Sequence, residues 1–281
     1  MKKKKILLML TFIWLFVLCF PSACAAESMD DLQVYSQDTK VEFLINAGIP
    51  GDFLNLRSTD DINTLYDLAQ THTLQYAVEQ GSYSDFEGGN SFFGTIPESD
   101  MILSVHKIET QTPPLPGTRS RIDSILIYVD YAWTYGHPAV CNEDSITVNW
   151  DSSLFQFVGG TFSSADYWSV GGEGGIKQTV NSQENPARLN QGGLGYFAML
   201  SNTHALGGPV QCSGSAGFLL EAKSTIYVGS SRRTSINVEY THNKNPLPGS
   251  ISLSYNGIGV SVNPGVLQDS VAKPIRIEYS S

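Results

Sequence analysis

The chain has 281 residues, with 27 acidic against 17 basic side chains and a formal net charge of −10 when histidine is neutral. An acidic surface of this kind repels phosphate backbones, which excludes nucleic acid as an expected partner. The length is enough to bury a real core and suits one larger domain with a smaller one.

Residues 1–26 read as a signal peptide. Lys2 to Lys5 form a positive start, residues 6–20 are apolar or neutral throughout, and Pro21 stops the run before the small residues Ala23, Ala25 and Ala26. The run falls short of the ~20 residues a spanning helix needs, so cleavage after Ala25 or Ala26 and secretion are expected. Pro21-Ser22-Ala23-Cys24 also resembles a lipoprotein box, with Pro where Leu is usual, and lipid anchoring at Cys24 is the minor alternative. Cleavage removes four lysines and leaves 13 basic against 27 acidic residues, a net charge of −14. No later segment is apolar for long enough to cross a membrane as a helix. Of the four cysteines, Cys141 and Cys212 survive processing. An even pair in an exported chain predicts a Cys141–Cys212 disulfide, closing a loop of about 70 residues and worth roughly 4 kcal/mol.

In the mature chain, residues 27–80 are expected to be helical. Val41, Phe43, Leu44 and Ala47 recur at helix spacing, and Gly48 with Pro50 ends that helix. Phe53, Leu54 and Leu56 make a short turn. Ser58-Thr59-Asp60-Asp61 is a capping signature before the apolar stripe Ile62, Leu65, Tyr66, Leu68 and Ala69. Residues 81–95 are rich in Gly and Ser and read as a linker.

Residues 96–281 alternate with the period of strands. Ile125, Ile127, Val129, Tyr131 and Trp133 share one face and Leu126 and Tyr128 the other, the pattern of a central strand buried on both sides. Pro113, Pro114, Pro116 and Gly117 break the chain before it. Further strands are expected over 145–150, 154–158, 195–200, 218–228 and 236–240. Asn256-Gly257 predicts a two-residue hairpin that pairs Ile251, Leu253 and Tyr255 with Val262, Val260 and Ile258. About ten strands separated by Gly, Pro and Asn turns predict a mainly β fold, an antiparallel β-sandwich preceded by a small helical hairpin.

The strings "NAGIPGDFLNLRSTDDINTLYDLA", "GTIPESDMILSVHKI", "DYAW" and "DSITVNWDSSLF", in that order, resemble a group of secreted β-rich proteins of Gram-positive bacteria. The resemblance implies a short helical segment before a β-rich remainder and brings no catalytic residue.

Chemical motifs are sparse. Gly214-Ser215-Ala216-Gly217 lacks the G-x-S-x-G spacing of a nucleophile elbow and reads as a loop. His72, His106, His137, His204 and His242 show no metal-ligand spacing, and His137 four residues before Cys141 is a weak thiol–imidazole pattern. Asp130, Asp151, Glu221 and Glu239 are the carboxylates that a glycosidase-like hydrolase could use. Asn142-Glu143-Asp144 offers oxygen ligands without a calcium-loop pattern, so no cofactor is expected beyond loosely bound calcium. Gly171 to Lys177 lacks the ending of a phosphate loop, and Leu115-Pro116-Gly117-Thr118 is followed by Arg119 rather than the Gly of a sortase signal.

Aromatic residues cluster over 131–168. Trp133 and Trp150 end apolar strand faces and are expected in the core, whereas Tyr167 and Trp168 lie in a Ser/Gly-rich stretch and are the candidate ligand-binding pair. The leading expectation is a non-catalytic secreted or surface-associated protein that binds an extracellular glycan or protein. The alternatives are a carboxylate-dependent hydrolase and a pore-forming toxin that inserts the 250–263 hairpin.

Overall fold

The computed structural model describes residues 36–80, 94–96, 100–133, 143–170, 176–200, 210–243 and 268–280. Its contacts divide the chain into two units, Met1–Lys40 and Val41–Ser281, and every strand among the described residues belongs to the second. The signal segment, the Gly/Ser-rich stretch up to residue 93, Cys141 and the Asn256-Gly257 hairpin lie outside the described residues. No helix among the described residues is long and apolar enough to cross a membrane.

Three helices open the described part: α1 (Gln37–Asn46), α2 (Gly51–Leu54) and α3 (Thr59–Thr71). α1 stops where expected. Gly48 takes a positive φ of 93°, and its N–H and that of Ile49 bond back to the Ile45 and Leu44 carbonyls. Ser58 caps α3: its hydroxyl accepts from the Asp61 N–H, and the Asp61 carboxylate accepts from the Ser58 N–H. The helical character ends there. His72 turns extended, and residues 73–80, expected to be helical, form strand β1 (Thr73–Gln80).

Among the described residues, eleven further strands come after it. They are β2 (Gly94–Thr95), β3 (Met101–Thr112), β4 (Arg121–Trp133), β5 (Glu143–Asn149), β6 (Phe155–Phe157) and β7 (Ser163–Val170). After these come β8 (Ile176–Gln183), β9 (Arg188–Asn190), β10 (Gly193–Met199), β11 (Val210–Asn243) and β12 (Gln268–Ser280). All pairings are antiparallel except β2 with β12. β11 organises the sandwich. Its first half pairs with β4 on one side and β7 and β6 on the other; its second half pairs with β12 and β5. Register shifts at Glu221/Ile226 and Val228/Arg232 mark where the strand passes from one sheet to the other. The 218–228 and 236–240 strands read from the sequence are thus two parts of one strand.

All twelve described strands form one continuous hydrogen-bonded sheet folded about the long β11; the layer around its first half, the first sheet below, runs β1-β3-β4-β11-β7-β8, and the layer around its second half, the second sheet, runs β12-β11-β5-β10-β9. Between them lies the main core, filled by Ile125, Ile127, Val129, Tyr131 and Trp133 of β4 against Ile146, Val148, Tyr196, Val238, Tyr240 and Ile277. Trp133 and Trp150 are both buried in it, as their positions predict. The opposite face of the first sheet carries a second core. There Ile108, Leu126 and Tyr128 meet Leu44, Phe53, Leu54, Ile62 and Leu65 of the helices. The double burial of β4 read from its sequence has this cause.

Gly214-Ser215-Ala216-Gly217 is not a loop. It lies within β11, directly opposite Tyr131, Asp130, Val129 and Tyr128. The glycines serve as floors for large neighbours: a Cβ on Gly217 would stand 2.7 Å from Cε1 of Tyr128, and one on Gly214 would meet the Tyr131 ring. Leu115-Pro116-Gly117-Thr118 forms the turn between β3 and β4. Gly117 has φ 82°, and the Thr118 N–H reaches the Leu115 carbonyl at 2.9 Å, as in a type II turn.

Candidate functional site

The outer face of the first sheet is only partly covered by the helices, and a cavity of about 410 Å³ opens beside α2. Two cross-strand rows form its floor. One reads Ile102, Ala132, Ser213, Tyr167 across β3, β4, β11 and β7; the next reads Ser104, Asp130, Ser215. In the first row two small side chains separate two large ones, so the sheet itself shapes a hollow about 14 Å long at ~4.8 Å per strand. Phe53 and Leu56 close it from the side of α2. The volume lies within the range of sites that hold small ligands or single side chains.

Asp130 is the chemical centre of the floor. Its Oδ2 accepts from Arg57 Nη2, and His106 Nε2 lies 3.0 Å away. Arg57 Nη1 donates to the Ser215 hydroxyl at 2.7 Å, and its Nε to the Phe53 carbonyl at 3.3 Å. The guanidinium carbon lies 4.3 Å from the Phe53 ring centroid and 4.7 Å from that of Tyr128, two rings that also meet each other edge to face at 5.3 Å. Tyr76 Oη lies 2.7 Å from His106 Nδ1, so both ring nitrogens of His106 are in hydrogen-bond contact. Asp130 Oδ1 is buried with no hydrogen-bond partner among the described residues. Burial alone pushes the Asp130 carboxyl upward. The His106 hydrogen bond, the Arg57 and His106 charges and the nearby Ser215 hydroxyl outweigh it and hold the group below the usual carboxylate range. Burial, then the Asp130 charge, raises Tyr76, against a lowering by Arg57.

Of the candidate ligand-binding pair, Tyr167 is half-buried in the wall of this cavity. Trp168 pairs in register with Cys212, and its side chain lies outside the described part. Cys212 is buried on β11. The four carboxylates proposed for hydrolysis are not brought together. Asp151 accepts from the Ser153 N–H and hydroxyl, Glu221 accepts from Gln156, and Glu239 pairs opposite Thr147 in the second sheet. The second carboxylate in the cavity lining is Asp52 of α2, which no sequence motif singles out. Asp144, expected in a turn, lies instead on β5. It is buried and accepts from the Tyr240 hydroxyl at 2.5 Å, with His242 Nδ1 at 2.9 Å. No group of three or more His, Cys, Asp or Glu side chains among the described residues is placed to hold a metal.

No family model matches the sequence, and no curated protein matches it. The chain is similar to the collagen-binding domain of a Staphylococcus aureus adhesin at 9% identity and a TM-score of 0.26, covering 54% of this chain and 87% of that one. It is similar to the T6 backbone pilin of serotype M6 Streptococcus pyogenes at 11% identity and a TM-score of 0.28, over 70% of this chain and 35% of that one. A third likeness is the KRT10-binding region domain of the pneumococcal serine rich repeat protein PsrP, at 10% identity and a TM-score of 0.23, over 60% and 87%. Scores this low carry no functional weight.

Proposed function

We propose that this chain is a non-catalytic binding protein, exported by its N-terminal segment, and that the cavity beside α2 receives its extracellular ligand. The observation that carries the reading is a preformed hollow of about 410 Å³ on the outer face of the first sheet, floored by two cross-strand rows and walled by Phe53, Leu56 and Tyr167.

The same geometry argues against hydrolysis. Both ring nitrogens of His106 are engaged, by Asp130 and Tyr76, so no side chain stands ready to be deprotonated by it. The Ser215 hydroxyl lies on Arg57, not on the imidazole.

The test is a screen of the mature protein against panels of extracellular glycans and proteins, repeated with Tyr167→Ala. A pocket ligand predicts a loss of about tenfold or more with this variant, the size expected when a central aromatic contact is truncated. Bound ligand with unchanged affinity for the variant would move the site elsewhere. Turnover of any glycan that Asp130→Asn abolishes would replace binding by hydrolysis.

A further inference from the structure

A second hollow opens on the same outer face, in step with the first. It measures about 560 Å³ and lies between the first turn of α3 and the segments around Gly160 and Glu184. Its floor is the cross-strand row Tyr128, Gly217, Ser163, in which the Tyr128 ring lies over Gly217. The row Ala132, Ser213, Tyr167 under the first cavity is displaced from it by four residues on each of β4, β11 and β7, or about 13 Å. Between the two rows β7 presents Ala165 to this face, part-exposed and with no side chain beyond Cβ.

The two hollows differ in chemistry. The first is walled by Phe53, Leu56, Ile102 and Tyr167, and the polar groups of its floor are already engaged or out of reach. Arg57 Nη1 donates to Ser215, His106 is contacted on both ring nitrogens, and Asp130 has Oδ2 on Arg57 and His106 and Oδ1 buried. What enters there is apolar; a sugar ring would leave most of its hydroxyls without partners. The second hollow is acidic. Asp60, Asp61 and Glu184 line it, and no Lys, Arg or His among the described residues does. Asp60 and Glu184 are exposed, and no ion pair among the described residues includes any of the three. Asp60 and Asp61 stand in the first turn of α3, where the helix dipole favours ionised carboxylates. Arg57, the cation next along the chain, is 1% exposed and paired with Asp130. A cationic group is favoured in this hollow and an anion repelled.

Resting on the binding function proposed for the first cavity, we infer that the two hollows form one docking surface for an extended segment of an extracellular protein. The segment places a large apolar side chain in the first hollow and a basic side chain, four residues away, in the second. Side chains of an extended chain alternate, so residues i and i+4 point to one side and lie about 13 Å apart, the spacing of the two floors. The formal net charge of −10 on the chain draws a basic partner in the same sense.

The experiment measures binding of dye-labelled heptapeptides to the mature protein by fluorescence anisotropy at pH 7. The parent peptide, Gly-Phe-Ser-Gly-Ser-Lys-Gly, carries its Phe and Lys four residues apart. It is expected to bind most tightly, with Phe→Ala or Lys→Glu weakening it about tenfold or more. Moving the Lys to three or five residues from the Phe turns it to the opposite face, and the affinity is expected to fall severalfold. The double variant Asp60→Asn/Glu184→Gln changes two exposed side chains and keeps the fold, as a thermal melt verifies. It should bind the parent severalfold more weakly and a Lys→Ala peptide as the wild type does. Affinity indifferent to the spacing, or to the double variant, overturns the inference. If that indifference comes with a loss in Tyr167→Ala, the first cavity remains a binding site and the docking surface alone is refuted. Silence from every peptide also overturns the inference, and the first cavity then stands or falls on the glycan and protein panels.

Discussion

Arg57 and Asp130 meet across 73 residues of sequence and tie the segment after α2 to the outer face of the sandwich. The pair is nearly enclosed, with side chains 1% and 16% exposed. Removing one partner of such a pair leaves a charge without compensation, and Arg57→Met is expected to cost about 3–5 kcal/mol at pH 7. The Asp130 carboxyl is held below its ordinary value, so its contribution is present above the unfolded pKa of about 3.9 and is lost as pH falls through the lowered one. Urea melts should therefore find the deficit of Arg57→Met shrinking below about pH 4, where the wild type loses this contribution. A deficit unchanged between pH 7 and pH 3 would mean that ionisation of Asp130 plays no part.

A second buried network sits between the sheets. Trp133 Nε1 donates to the Tyr240 hydroxyl at 3.0 Å, and that hydroxyl donates to Asp144, which also faces His242 Nδ1. Burial, with the Asp144 charge next, raises the Tyr240 hydroxyl well above its usual range and keeps it a donor. Tyr240→Phe strips both Trp133 and Asp144 of a partner at little change in volume. The expected loss is about 1–3 kcal/mol in denaturant melts, and a loss under about 0.5 kcal/mol would mean that the network contributes little.

Glycines under aromatic rings give a contrast within one protein. Gly217→Ala would drive its Cβ to 2.7 Å from the Tyr128 ring, in the middle of a paired strand. Overpacking of this kind costs about 1–3 kcal/mol. Gly159→Ala meets nothing within 4 Å and has no positive φ, so it should stay within about 0.5 kcal/mol of wild type. Equal thermal melts for the two variants would contradict the packing of Tyr128 on Gly217.

Ser58→Ala removes the hydroxyl that caps α3 and leaves the Asp61 N–H without it. A loss of about 1 kcal/mol is expected, while Ser58→Asp, which keeps an acceptor there, should retain most of the stability. Loss of the same size in both would assign the effect to something other than the cap.

The expected Cys141–Cys212 link calls for non-reducing peptide mapping of the secreted protein, which should yield one cross-linked pair. Two thiols open to alkylation in the unreduced, denatured protein would refute it.

What could be read from the chain depended on whether burial there is apolar. β4 was legible because both of its faces are covered, one by the second sheet and one by the helices, and its near-continuous apolar run records this. β7 was not. Its buried positions include Ser164 and Asp166, and Asp166 is satisfied by the Tyr131 hydroxyl, Asn181 and the Met199 N–H, so no apolar alternation appears. Burial is the leading cause that raises the Asp166 carboxyl. β1 escaped because Leu74 and Tyr76 prolong the apolar content of α3 past its true end at Thr71.

The sequence by itself determined the helix ends at Gly48 and Ser58, the turn at Pro116-Gly117 and the β-rich class, because each follows from conformational preferences of neighbouring residues. Only the tertiary structure decided that Tyr167 faces Ile102 across a row of small side chains, and that Arg57, His106, Asp130 and Ser215 converge. Strand register across β3, β4, β11 and β7 sets those distances. Register follows from the packing of whole faces, which leaves no local signature at the residues it brings together.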